Sequence, residues 1–205
     1  DRGGEKIILR PELTPTLARM VAAKQRQLAV PLRWWSWGRF WRYERPQKGR
    51  GREFYQWNCD LIGDDSVGAE REMVQIIITF LTSLGLQPTD CVIEISDRTF
   101  MNQYLKAKGV ADETLSTVFR FLDKAPKLSD DEQTAWAKEL GLSADITTTI
   151  RKLAKNDTEL WKQSERLRDI MAGLADAGLT QWVKPNLGIV RGFEYYPLFT
   201  GQLFG

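Results

Sequence analysis

None of the 205 residues is a histidine. That absence removes every mechanism in which the protein supplies an imidazole: Ser-His-Asp and Cys-His nucleophiles, a histidine general base, and any His-ligated metal site. Two cysteines, Cys59 and Cys91, are too few for a disulfide framework or a zinc site, and they fit a reducing, cytoplasmic setting. No apolar run approaches the ~20 residues that cross a bilayer, and the first residues do not follow a signal-peptide pattern, so no membrane association is expected. An excess of charge is also missing. With 29 basic and 27 acidic groups the net charge is +2, which excludes a strongly basic tail but not a local cluster. Acid–base and electrostatic work therefore falls to carboxylates, lysine, arginine, tyrosine and backbone groups.

What remains is an ordinary globular composition, 42% apolar and 27% charged, long enough for one or two domains of roughly 100–150 residues. Residues 7–9, Ile-Ile-Leu, read as a short strand that ends at Arg10-Pro11. A helix follows, with Thr14 as N-cap, Pro15 at the first helical position and Leu17, Met20, Val21 and Leu28 as its buried stripe. From residue 33 to 63 the period changes to two, and Pro46, Gly49 and Gly51 interrupt it. This predicts a strand to about residue 44, a basic loop, and a return strand over 53–61. Val67, Met73, Ile76, Ile77, Phe80, Leu81 and Leu84 recur at helical spacing, and residues 91–95 read as a strand. From 98 to 178 charged helical segments follow one another, before strand patterns return at 181–184 and 187–196. The order predicts an α+β fold with a helical insertion: a core over 1–97, the insertion over 98–178, and return strands over 179–205.

The segment that carries chemistry is the predicted hairpin. Side chains alternate along a strand, so Arg42 and Glu44 point one way on the first strand and Phe54, Gln56, Asn58 and Asp60 share a face on the second, which predicts one hairpin face holding them all. A face with an arginine, carboxylates, amides and a ring is costly to bury unpaired, at about 1–3 kcal/mol per group, and reads as a ligand site. Between the strands Arg45, Lys48, Arg50 and Arg52 place four cations on one glycine-containing loop. The guanidinium forks of the three arginines suit phosphate oxygens, whereas an isolated basic loop would only aid solubility. Trp34, Trp35, Trp37 and Trp41 read as packing against helices, and the two cysteines as small buried hydrophobes. A plain RNA-binding domain would explain the basic loop but not the carboxylates facing it. No Walker-type loop or dinucleotide fingerprint is present, so a nucleotide would be held by the hairpin.

Glu44-Arg45-Pro46-Gln47-Lys48-Gly49-Arg50, followed by Glu53-Phe54-Tyr55-Gln56, resembles motif 2 of class II aminoacyl-tRNA synthetases, in the form used by the histidyl-tRNA synthetase family. Leu9-Arg10-Pro11-Glu12-Leu13-Thr14 is similar to that family's Leu-Arg-Pro-Glu-x-Thr segment. Val190-Arg191-Gly192-Phe193-Glu194-Tyr195-Tyr196 is similar to its Leu-Val-Arg-Gly-Leu-Asp-Tyr-Tyr signature, with Glu194 replacing the usual aspartate. The resemblance implies a class II synthetase-like antiparallel sheet flanked by helices. It also implies that Glu12 and Thr14 hold the histidine amino group, and that Gln56, Asp60, Arg191, Tyr195 and Tyr196 complete the amino-acid pocket. Arg42 would bind the ATP α-phosphate, Glu44 the adenine edge, Arg50 the β and γ phosphates, and Phe54 the adenine face. Arg42 and Arg191 would be the catalytic pair, with Arg191 standing where other class II enzymes use a metal ion and with no protein-held metal. The implied substrates are ATP with its magnesium, histidine and tRNA(His), and the implied assembly is a homodimer. In the family a helical insertion touches the tRNA acceptor arm, so Lys106, Lys108, Lys152, Lys155 and Lys162 are candidate phosphate contacts.

The same resemblance leaves parts unmatched: motif 1, motif 3 and an anticodon-binding domain are not found, which implies the middle of a larger enzyme. The alternative from the same fold is the regulatory subunit of ATP phosphoribosyltransferase, which binds histidine without charging tRNA. Retention of Arg42, Arg50, Gln56 and Arg191 together favours the enzyme, since a regulatory subunit has no use for arginines around an α-phosphate.

Overall fold

The computed structural model describes residues 3–4, 7–45, 48, 50–156 and 159–189, and the backbone of 200–204. The chain divides into two compact units, Asp1–Ala69 and Glu70–Gly205. The predicted α+β architecture is present: seven α-helices and five strands lie among the described residues.

In the first unit, helix α1 (Thr14–Lys24) precedes strands β1 (Leu32–Trp41) and β2 (Glu53–Ile62). The strands pair antiparallel along their whole length, from Leu32 opposite Ile62 to Trp41 opposite Glu53. The run of aromatic residues at period two makes this hairpin, because such side chains pack well on a pleated surface. Only Leu32, Phe40 and Ala69 are buried among the unit's described residues.

Several local expectations change here. Residues 7–9 form no strand, and Ile7 and Ile8 are each 82% exposed. Leu13, not Thr14, is the N-cap of α1: its carbonyl accepts from Thr16 and Leu17 amides, so the helix begins one residue earlier than the threonine predicts. Leu17, Val21 and Leu28 are half-buried and Met20 is exposed, so the predicted stripe is not fully covered. β1 stops at Trp41, and Arg42 adds one further backbone bond to the Arg52 carbonyl at 2.9 Å before the pairing ends.

Helix α2 (Val67–Ser83) buries Val74, Ile78 and Leu81 and exposes Ile77 and Phe80, and Leu84, just past its end, is exposed as well. Apolar residues cover most of its circumference, so spacing alone did not single out the buried stripe. In the second unit β3 (Val92–Ser96) is followed by α3 (Arg98–Ala107), α4 (Asp112–Lys124), α5 (Asp130–Glu139), α6 (Ala144–Ala154) and α7 (Glu165–Asp176), then by β4 (Val183–Pro185) and β5 (Thr200–Phe204). β3 is central: β4 pairs parallel to it, with Ile93 opposite Val183, and β5 antiparallel, with Ser96 opposite Thr200. Leu187–Ile189, predicted as strand, are a turn, and 190–196 lie outside the described residues. In the core of this unit Ile95, Met101, Val118, Phe121, Ile150, Leu167, Ile170 and Leu174 are all fully covered.

Caps fix where the helices start. Asp97 accepts from the Phe100 amide at 2.9 Å, Ser143 from Ile146 at 3.3 Å and Ser164 from Leu167 at 3.1 Å, while Ser129 and Glu132 form a reciprocal capping box. Two of these caps touch each other. The Ser164 hydroxyl donates to Asp97 Oδ2 at 2.7 Å, joining the N-termini of α3 and α7 at a point where both residues are at most 5% exposed. Close by, Arg166 Nε donates to Glu70 Oε2 at 2.6 Å, yet burial outweighs this cation and pushes the Glu70 carboxyl pKa up from its ordinary value. Asp97→Ala should therefore remove a cap and orphan a buried hydroxyl together, lowering the unfolding free energy by roughly 2–3 kcal/mol. Denaturant titration checks this, and Ser129→Ala, at an exposed cap, should cost less.

Candidate functional site

Cross-strand partners share a face, so the register sorts the hairpin into two surfaces. One carries Phe54, Gln56, Asn58 and Asp60 opposite Phe40, Gly38, Ser36 and Trp34; these four β2 residues are half-buried, and Asn58 donates to Ser36 at 3.5 Å. The other carries Trp35, Trp37, Tyr55 and Trp57, with Trp35 71% and Trp37 62% exposed. Trp35 and Trp37 therefore do not pack against helices as predicted. Trp37 stacks on Tyr55 at 5.5 Å, and Arg39 bonds the Tyr55 hydroxyl and pairs with Glu53 at 3.3 Å.

The polar face is joined to the segment that precedes α1. The Trp41 amide donates to the Arg10 carbonyl at 3.0 Å, Arg10 Nε to the Arg39 carbonyl at 3.0 Å, and Arg42 Nε to the Pro11 carbonyl at 3.0 Å. Residues 10 and 11 thus lie along the end of β1, which brings Glu12, half-buried, and Thr14, exposed in the first turn of α1, to the hairpin's own unit. The Arg10 guanidinium occupies the space that a Cβ at Gly38 would take, and it lies 4.7 Å over the Phe40 ring. Phe40 stacks on Phe54 at 6.2 Å, and Arg42 covers Phe54 at 5.0 Å, so cations cap both ends of a ring pair. Glu44 lies 4.0 Å from Arg42 Nη1 and 3.5 Å from Arg50 Nη1. Arg52 covers Tyr43 at 4.4 Å. Pro46, Gln47 and Gly49 of the loop lie outside the described residues.

Burial pushes the Asp60 carboxyl pKa up from its ordinary value, and burial together with the Asp60 charge pushes the Cys59 thiol up. A carboxylate kept at a site that penalises its charge is unfavourable for folding and suited to meeting a cation or an N–H donor. Among the described residues no cluster of three or more carboxylate or thiol groups is placed to hold a metal ion.

The structure brings Arg42, Glu44, Arg50, Phe54, Gln56 and Asp60 together on one hairpin, with Glu12 and Thr14 on the segment tied to it. Arg191, Tyr195 and Tyr196 lie outside the described residues. The approach to them is described in the second unit. The Asn186 amide donates to the Ile95 carbonyl at 2.8 Å, its side chain donates to Glu94 Oε2 at 2.8 Å and accepts from the Gly188 amide at 2.9 Å, and Gly188 lies against the Leu153 carbonyl where a Cβ would collide. The roles of Arg10 and Asn186 were not among the sequence expectations. A lone glycine amid bulky strand residues, Gly38, was the available signal for a close approach. Of the candidate lysines, Lys106, Lys108, Lys155 and Lys162 each sit against a carboxylate: Asp112, Asp145, Asp130 and Glu159.

With this geometry established, comparison with known proteins gives the class. The fold matches a solved structure from Bacillus halodurans described as an ATP phosphoribosyltransferase regulatory subunit/histidyl-tRNA synthetase, with a TM-score of 0.79 at 24% identity over 100% of this chain and 56% of that one. The family model for histidyl-tRNA synthetase matches residues 1–204, and the chain belongs to that family. It is 36% identical over its full length to the histidine–tRNA ligase, chloroplastic/mitochondrial, of Arabidopsis thaliana and 36% identical to the histidine–tRNA ligase of Opitutus terrae, covering 43% and 50% of those proteins. The chain thus spans about half the length of the curated relatives it matches. None of the helices among the described residues is long and apolar enough to cross a membrane.

Asp60→Asn separates the carboxylate's folding cost from its use. Above the raised folded-state pKa the folded chain bears a charge that burial disfavours; below the ordinary carboxylate value both states are protonated and the penalty vanishes. The variant should melt higher than the parent at neutral pH, with the gap closing as pH falls through the raised pKa. Thermal melts across pH check this.

Proposed function

We propose that this chain is the histidine- and ATP-binding part of a histidine–tRNA ligase, activating histidine to histidyl-adenylate and passing it to the 3′ end of tRNA(His). The observation that carries the reading is the bond from Arg42 to the Pro11 carbonyl, which seats the Leu-Arg-Pro-Glu-x-Thr segment on the motif 2 hairpin. In this reading Glu12, Thr14, Gln56 and Asp60 line the histidine pocket, with Arg191, Tyr195 and Tyr196 added on sequence resemblance. Glu44 and Phe54 receive adenine, and Arg42 and Arg50 receive the phosphates of ATP carrying its magnesium. Residues 98–178 form a helical insertion within a catalytic core built from 1–97 and 179–205. The setting is cytoplasmic, the assembly a homodimer and the insertion a tRNA contact.

The chemistry suits a chain without histidine. Activation is an in-line attack by the amino-acid carboxylate on the α-phosphorus, and that carboxylate is ionised at pH 7, so no general base is needed. Positioning and charge neutralisation remain. Arg42, fixed by Pro11 and Phe54, lowers the repulsion between two anions and stabilises the charge that builds on the phosphoryl oxygens. Specificity follows from paired polar groups: a side chain without imidazole nitrogens leaves Asp60 and Gln56 unsatisfied, a penalty that can reach ~10⁴-fold.

The second reading, a histidine-binding regulatory subunit, draws on the Bacillus halodurans relative, whose description carries both names. Histidine-dependent ATP–pyrophosphate exchange separates the two. Exchange is expected, and histidine binding without exchange would select the regulatory reading. Arg42→Ala should lower the exchange rate by about 10²–10³-fold. Arg191→Ala should slow adenylate formation far more than it weakens histidine binding, as measured by single-turnover kinetics beside equilibrium titration; equal losses would reduce Arg191 to a binding residue.

A further inference from the structure

The two phosphate-directed arginines of the hairpin are held unequally. Arg42 has three anchors: the Pro11 carbonyl at 3.0 Å, the Phe54 ring at 5.0 Å and Glu44 Oε1 at 4.0 Å. Arg50 has a side chain 68% exposed, and its ion pair among the described residues is with Glu44 Oε2 at 3.5 Å. One carboxylate therefore directs one oxygen to each guanidinium. Two guanidiniums converging on the oxygens of one anion is the arrangement that phosphate takes between arginines. The anion present here belongs to the protein.

We propose that Glu44 is a placeholder anion, holding Arg50 beside Arg42 while the site is empty and giving up both arginines to phosphate oxygens when a nucleoside triphosphate or pyrophosphate binds. This rests on the reading of the hairpin as a phosphate site. The carboxylate that the phosphates displace is the one assigned to the adenine edge, so phosphate capture and base recognition become two ends of one side-chain movement. Exposed ion pairs are weak, and the competition they set up is correspondingly modest. The arrangement keeps Arg50, on an exposed loop, near its working position without a site so favourable to anions that product pyrophosphate stays bound.

Inorganic pyrophosphate is the discriminating probe because it has no adenine. Calorimetric titration at low ionic strength should show Glu44→Gln binding pyrophosphate about three- to fivefold tighter than the parent. The gain should vanish in an Arg50→Ala background. Glu53→Gln removes the same charge from the opposite face of the hairpin, where Glu53 pairs with Arg39, and should give no gain. Unchanged or weaker binding in Glu44→Gln, a gain that survives Arg50→Ala, or an equal gain in Glu53→Gln would each overturn the placeholder. A parent protein that binds no pyrophosphate overturns both the placeholder and the phosphate-site reading. Pyrophosphate binding that ignores residue 44 sinks the placeholder alone.

Discussion

The carbonyl oxygen of Pro11 is the point on which the hairpin site depends. A proline has no amide hydrogen to donate, so its carbonyl is the backbone group it offers, and here Arg42 takes it at 3.0 Å. That bond orients a guanidinium whose long side chain would otherwise sample many rotamers, and it does so with a backbone atom that cannot rotate away. The neighbouring bonds of Arg10, to the Arg39 carbonyl and from the Trp41 amide, hold the carbonyl itself in place. The first unit buries few side chains, so these polar ties carry much of the precision that a thick core supplies elsewhere.

How much of this was readable from residues alone varies with the range of the force involved. The hairpin was legible because pairing and period are local: a run of alternating aromatics, a loop with proline and glycines, and a return strand admit few other solutions. The helical character of residues 98–178 was legible for the same reason, since helical spacing is a local pattern of neighbouring turns. Thr14 failed as a cap because the preceding Leu13 carbonyl had already taken the first helical bonds, which no side-chain preference reveals. Ile7-Ile8-Leu9 has strand composition and no strand, because a strand needs a partner and composition does not supply one. In α2 the buried stripe could not be separated from its apolar neighbours.

The site shows the same division. Arg42, Glu44, Arg50, Phe54, Gln56 and Asp60 were found through the hairpin and the motif. Arg10 was not, because its role comes from the hole left at Gly38, a vacancy made by two segments distant in sequence. Asn186 was missed because its value lies in three bonds to three different backbone and side-chain partners. Pair electrostatics also escape the sequence: the approach of Glu44 to two arginines, and the burial that makes Asp60 reluctant to ionise, are properties of placement. A chain with nearly balanced charge can still concentrate unlike charges within one hairpin, and this one does.

The meeting of Asp97 and Ser164 has an architectural meaning. These residues stand 67 positions apart in the chain and 2.7 Å apart between side-chain oxygens. The path that leaves β3 to build α3, α4, α5 and α6 therefore returns to the spot from which it departed. A stretch whose two ends share a doorway can lengthen, shorten or change its outer surface without pulling on the strand that feeds it. What is fixed is the meeting of two buried side chains, and the helices between them are tethered at that one point.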